Sequence, residues 1–176
     1  MSEQSSRLRT PGAFGPTEFR RALGCFPTGV TIITTRGLEG EPLGMTVSSF
    51  NSVSLSPPLV LWSLALSSSS RAAVEAASHY AIHILAADQA GIARQFAMPG
   101  RGADRFAGVP WRPNEHGVPI LQGDYAARFE CVGRSQYVAG DHIILVGEVE
   151  HCEHTAALPL VFHAGGFHLT PDIDGA

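Results

Sequence analysis

The chain has 176 residues, 44% of them hydrophobic and 16% charged, with a formal net charge of −4. That length fits one domain of ordinary size with a real core, and the composition is that of a folded globular protein. All 12 strong cations are arginines scattered along the chain, which speaks against nucleic acid or a membrane surface as a partner.

Residues 1–16 carry Ser, Gly and Pro without periodicity and read as a flexible arm. The polar start, Met1–Thr10, has no hydrophobic region of the kind a secretion signal needs, and the apolar runs Pro58–Leu66 and Ile143–Val146 are too short to span a bilayer. Cys25, Cys131 and Cys152 share no CxxC spacing and are odd in number, so a disulfide framework is not expected and the cytoplasm is the default compartment.

Thr17 is positioned to cap a helix reaching about Phe26, with Phe19, Ala22, Leu23 and Phe26 on one face. Gly29–Thr35 and Gly44–Val53 read as strands joined by a turn at Gly37–Gly40. The apolar run Leu59–Leu66 reads as a buried strand, Ser67–Ser70 as a polar loop, and Ser70 as the cap of a short helix from Arg71. Tyr80, Ile82 and Ile84 alternate with Ala81 and His83, as in a half-buried strand; Asp88 is placed to cap a helix over Gln89–Phe96. Pro99–Gly123 is rich in Gly and Pro and predicts a long surface excursion. Two long strands, Tyr125–Tyr137 and His142–Cys152, meet at Ala139-Gly140-Asp141, and a strand pair near Leu160–Leu169 ends the pattern. Strands outnumber helices, and the helices are short. This predicts a mainly β fold, a small barrel with hairpin and Greek-key connections, as one domain over residues 17–170 with a tail at 171–176.

Three segments bear on chemistry. Gly44–Ser54 places small hydroxyl residues on both faces of a strand. Such a surface lets a flat ligand approach the backbone, and it also describes an edge strand with a solvated face. Ser67-Ser68-Ser69-Ser70-Arg71 offers hydroxyls and a guanidinium for a phosphate, or is a flexible serine loop. At Gly140-Asp141-His142 a histidine near neutrality stands beside a carboxylate, although Gly-Asp alone already makes a good hairpin turn. Neither a P-loop nor a Rossmann glycine pattern is present. His79 and His83 on one strand lie about 13 Å apart and cannot readily share an ion, and His151 and His154 lack further ligands at fixed spacing, so no metal site is expected. Cys25 has no local partner that would make it a nucleophile.

In order and spacing these segments resemble the short-chain flavin reductase family, which includes reductase components of two-component flavin-dependent monooxygenases. The resemblance runs through Phe26-Pro27-Thr28-Gly29-Val30, Gly44–Pro58, Asp104-Arg105-Phe106-Ala107-Gly108-Val109, Pro119-Ile120-Leu121 and Ala139–Val149, covering roughly residues 17–170. It implies an FMN-binding split β-barrel of Greek-key type, usually a homodimer. It also implies hydride transfer from NADH or NADPH to FMN or FAD, with the reduced flavin passed to a monooxygenase. A flavin oxidoreductase that keeps its flavin and reduces an organic substrate, or a non-catalytic FMN carrier, are the alternatives on the same barrel.

By the same resemblance Gly44, Met45, Thr46, Val47, Ser48 and Ser49 contact the flavin ring, Ser67, Ser69 and Ser70 lie near its ribityl phosphate, and Phe96 approaches from a helix end. Asp141 and His142 meet the nicotinamide, with His142 in the catalytic position. Many relatives carry a basic residue where this chain has Ala164, so a cationic contact there is not expected.

Overall fold

Twelve strands and three short helices make up the described residues, 14–98 and 105–170, of the computed structural model. Helix α1 (Pro16–Leu23) leads into β1 (Thr28–Gly29) and β2 (Thr31–Arg36), followed by β3 (Pro42–Val47), β4 (Asn51–Leu55) and β5 (Pro58–Ala65). Next come α2 (Arg71–Ala76), β6 (His79–Ile84), α3 (Ala90–Ala97) and the short strands β7 (Trp111–Pro113) and β8 (Pro119–Leu121). The long hairpin β9 (Ala127–Ala139) and β10 (His142–His154) precedes the closing pair β11 (Leu160–His163) and β12 (Gly166–Leu169). The mainly β expectation is met.

Seven strands form one antiparallel sheet in the order β3-β2-β6-β9-β10-β5-β4. In a flat sheet β3 and β5 would lie roughly 24 Å apart, at ~4.8 Å per strand. Yet Leu43 and Met45 of β3 share a core cluster with Val60, Trp62 and Leu64 of β5 and with Ile82 and Leu145. The sheet therefore wraps around its own apolar face. Ser49 ties the wrap: its hydroxyl accepts from the Ser63 amide at 2.9 Å and donates to the Ser63 carbonyl at 3.1 Å. A second cluster on the other face, including Val30, Ile32, Leu85, Phe96, Phe106 and Leu160, binds α3 and β11 to the sheet. Each fully buried large side chain, Trp62 or Ile82 for example, contributes about 1.5–3 kcal/mol relative to exposure.

Several expectations are corrected. The serine-rich segment is two strands, not one: β3 and β4 are opposite edges of the sheet, and the bend at Ser48–Phe50 carries the chain between them. Helix α1 starts at Pro16, capped by Gly15 rather than Thr17, because proline suits the first helical turn where no N–H is needed. It ends at Leu23 and buries none of its residues. Gln89, not Asp88, caps α3, and neither it nor Ser70 at α2 makes a side-chain cap bond.

Strand β6 does not alternate, because β8 covers what would otherwise be its polar face and buries His83. Of the Pro99–Gly123 stretch, residues 99–104 lie outside the described residues; the rest is no mere surface excursion, since Phe106, Val118, Ile120 and Leu121 are buried. The proposed arm at 1–16 lies outside the described residues up to residue 13, with α1 beginning inside its last positions, and the tail at 171–176 also lies outside them.

Candidate active site

Where β3 leaves the sheet and the chain bends toward β4, an open groove forms between β3 and β5. One lobe, about 500 Å³, is lined by Thr46, Val47, Ser48, Ser49, Ser63, Leu64, Ala65 and His142. A second, about 250 Å³, shares Thr46, Val47, Leu64 and Ala65 and runs on to Met45, Ser68, Ser70, Phe96, Ala97 and Arg105. The shared residues make one continuous site with His142 at one end and Arg105 at the other.

The hydroxyls divide into fold-bearing and available. Thr46 Oγ1 donates to the Ala93 carbonyl at 2.7 Å, clamping α3 onto β3, and the Ser49 hydroxyl is committed to Ser63. Ser48, at the bend, is exposed and its hydroxyl has no partner among the described residues. The donor set offered to a planar ligand is therefore Ser48 plus backbone amides.

His142 opens β10 directly after the turn, where Gly140 adopts φ 63°, a left-handed conformation that suits glycine. Leu66 N–H donates to the Asp141 carbonyl at 2.9 Å and fixes this turn to the end of β5. The His142 imidazole lies with Nδ1 2.7 Å from Asp141 Oδ1. That bond lowers the Asp141 pKa from its ordinary value, chiefly by hydrogen bonding to His142, and favours the tautomer with Nδ1 protonated and Nε2 free. Asp141 itself lies outside the groove lining and acts on it through His142.

At the other end Arg105 donates from Nη1 to the Gly44 carbonyl at 2.8 Å and from Nε to the Met98 carbonyl at 3.1 Å. Two of the guanidinium's five donors are thus used in holding it, and the others remain for a ligand. Partial burial lowers its pKa from the ordinary value, but an arginine stays charged. Among the described residues no carboxylate lines either lobe. With a guanidinium at one end and an imidazole at the other, the groove suits an elongated ligand whose anionic end lies beside Arg105.

The sequence expectations sort unevenly. Thr46, Val47, Ser48, Ser49 and His142 come together in the first lobe; Met45, Ser70 and Phe96 border the second. Gly44 lines neither, and its role is packing. A Cβ there would collide with Cε1 of Phe96, fall 2.8 Å from Phe96 Cδ1 and meet Phe106 Cζ at 3.1 Å. Ser67 and Ser69 are exposed and line neither lobe, while Ser68 and Ser70 border the second. Arg105 is the groove-lining cation that reasoning from sequence did not single out. Its signal was present, since it lies in one of the stretches carrying the family resemblance, but no spacing linked it to β3.

The metal expectation also meets a new arrangement. His79 and His83 do not converge, because His83 is buried with Nε2 accepting from the Leu121 amide at 3.1 Å and Nδ1 facing the Ile32 carbonyl. His79 instead approaches His116 and Glu150, away from the groove.

Comparison with known proteins follows the same outline. Residues 23–170 match the model of the flavin reductase like domain. The chain is 49% identical over 157 residues to the FMN reductase (NADH) SmoA of Agrobacterium fabrum, covering 89% of this chain and 87% of that protein. It is 42% identical to the reductase component of the flavin-dependent trigonelline monooxygenase of Acinetobacter baylyi, over 85% of this chain but only 47% of that protein. The chain thus spans about half the length of that longer relative. The structure of the Streptomyces globisporus NADH:FAD oxidoreductase SgcE6 in complex with NAD and FAD fragments superposes with a TM-score of 0.85 at 38% identity, covering 96% of this chain and 100% of that one.

Proposed function

The chain belongs to the flavin reductase like family, and from that premise we propose that it is an NAD(P)H:flavin oxidoreductase that reduces FMN or FAD with NADH or NADPH. The single observation that carries this reading is the continuous groove along Thr46–Ser49, with His142 at one end and Arg105 at the other. The seven-stranded sheet wrapped around its own apolar face supports our reading of the fold as a split β-barrel of Greek-key type.

The residues present fit a flavin. Small side chains and a bend at Ser48 leave backbone exposed to a flat ring, and the acid-free lining with Arg105, Ser68 and Ser70 suits a phosphate. A bound flavin supplies the electron-accepting chemistry of the reaction. The chain's own contribution is positional and electrostatic. Amides around Ser48 and Ser49 donate to developing negative charge on a ring edge, and Arg105 anchors the anionic tail. His142, with Nδ1 held by Asp141, presents Nε2 to a carboxamide beside the ring. A flavin held along Thr46–Ser49 with a nicotinamide oriented by His142 would need only this positioning from the chain, and no side-chain nucleophile.

The groove is open at its surface, which supports release of the flavin after reduction and its delivery to a monooxygenase. The name of the Acinetobacter relative, a monooxygenase reductase component, points the same way. A homodimer is favoured by apolar side chains left in solvent, among them Val53, Leu55 (95% exposed), Tyr137 and Val138. No helix among the described residues is long and apolar enough to cross a membrane; the free thiols of Cys25, Cys131 and Cys152 support our reading of a cytoplasmic enzyme.

The test is turnover. Purified protein mixed with NADH or NADPH and excess FMN under air should oxidise many flavin equivalents of nucleotide, followed at the nicotinamide absorbance. No oxidation with either nucleotide rejects the reading.

A further inference from the structure

Away from the groove, three side chains from three separate elements converge. His79 begins β6, His116 sits in the turn between β7 and β8, and Glu150 lies in β10. One ligand atom of each falls within 4.8 Å of the others. Glu150 is eight residues along β10 from His142, roughly 26 Å at ~3.3 Å per residue, so this place is distinct from the flavin groove. We propose that His79, His116 and Glu150 form a binding site for a borderline divalent transition metal of the Zn²⁺ class, which clasps the β7–β8 turn onto the main sheet.

Each ligand is placed by a local device. The pairing of β9 with β10 slips between Val149 and His151, so Glu150 is the extra residue of a β-bulge, a feature that re-aims a side chain out of the alternating pattern. His79 has its Nδ1 2.9 Å from the Ser78 hydroxyl, which fixes the ring and leaves Nε2, 3.8 Å from Glu150 Oε2, to face the carboxylate. An outer hydrogen bond on one imidazole nitrogen that frees the other is the usual support of a metal-bound histidine.

The His116 turn is pinned by Asn114, whose Oδ1 accepts from the His116 and Val118 amides and whose Nδ2 donates to Glu130 at 2.7 Å. Two imidazoles and one carboxylate make a donor set suited to zinc and its neighbours. The fourth position opens on a cavity of about 310 Å³ lined by both histidines and by Arg36, which leaves it to water or a small anion.

The two rings now stack, 3.8 Å between centroids and 11° from parallel, so their lone pairs do not converge. Binding at ~2.0–2.1 Å per nitrogen requires one ring to turn and the ligand atoms to draw in. The His116 side chain, 39% exposed on a turn, is the one that turns, giving up the 3.6 Å approach of its Nε2 to Glu115 Oε1.

The site sits apart from the catalytic groove, so the ion acts on stability through mass action and leaves the chemistry alone. The experiment uses the tag-free, chelator-treated full chain and Zn²⁺ alone, titrated by calorimetry and by competition with a chromophoric chelator. One Zn²⁺ per chain is expected, with a rise in Tm. His116→Ala and Glu150→Gln should each weaken binding at least tenfold without changing the metal-free rate of NADH oxidation. Ser78→Ala should weaken it by about tenfold through loss of the outer hydrogen bond. Absence of stoichiometric binding overturns the proposal. Binding that persists unchanged in His79→Ala and His116→Ala overturns it equally, since the ion would then sit elsewhere, for example near His151 and Cys152. Both outcomes are independent of whether the chain reduces flavin.

Discussion

Nδ1 of His142 lies 2.7 Å from Oδ1 of Asp141, and this contact sets which ring nitrogen faces the groove. If Asp141 acts by orienting His142, then His142→Ala should raise the KM for NADH by about tenfold or more, the value of a lost hydrogen bond to an oriented polar group. The dissociation constant for FMN should change little. Asp141→Asn should give a smaller effect of the same kind, because the amide can still accept from Nδ1. Steady-state kinetics with FMN fluorescence titration separate the two; an equal loss of flavin and nucleotide affinity in His142→Ala would make the residue a hairpin support only.

Arg105 stands at the opposite end of the groove and offers the only guanidinium on its lining among the described residues. Arg105→Ala should weaken FMN by about ten- to a hundredfold, as expected for charge-assisted hydrogen bonds to a phosphate worth about 1.5–3 kcal/mol. Riboflavin, which has no phosphate, should lose far less. The comparison matters because Arg105 also donates to the carbonyls of Gly44 and Met98, so the variant will lose some stability too. If riboflavin and FMN weaken alike, the arginine is structural.

How much of this was legible from sequence follows from the range of the interactions involved. The strands at β2, β5, β9 and β10 announce themselves through β-branched residues and turns, because their pattern is local. The break at Ser48 does not, since it depends on β3 and β4 belonging to opposite sheet edges and on Ser49 reaching Ser63. His83 looked like the polar member of an alternating strand until β8, whose residues are distant in sequence, covered it. Arg105 stood in a stretch that carries the family resemblance, but its place beside β3, like that of His116 beside His79 and Glu150, depends on elements far along the chain. The serine loop was placed correctly in the chain, but which serines face inward is a matter of backbone path that composition does not encode.

Gly44 tests the claim that α3 is docked by close packing. With Phe96 directly over its Cα, Gly44→Ala should destabilise the fold by about 1–3 kcal/mol, the usual range for overpacking. Pairing it with Phe96→Leu should recover part of that loss, because the smaller side chain vacates the space that Cβ enters. Urea denaturation of the single and double variants measures both effects. Simple additivity of the two costs would show that the contact is not the cause.

His83 gives a pH dependence whose sign is fixed by its burial. Loss of solvent around the ring, the largest influence, lowers its pKa from 6.5 to about 3, while its nitrogens are occupied by the Leu121 amide and the Ile32 carbonyl. The folded state therefore holds this histidine neutral where the unfolded chain would protonate it. Its contribution to stability is fully present above pH 6.5 and is lost as the pH falls from there toward about 3. The loss amounts to about 1.4 kcal/mol per pH unit from this group alone, roughly 2 kcal/mol between pH 6.5 and pH 5. Denaturant midpoints at neutral pH and at pH 5 should show the fall. In His83→Gln, which can still accept from Leu121 and donate to Ile32 but cannot take up a proton, the curve should flatten by that amount over the same window. An unchanged slope in the variant would mean that His83 is not the group that titrates on unfolding.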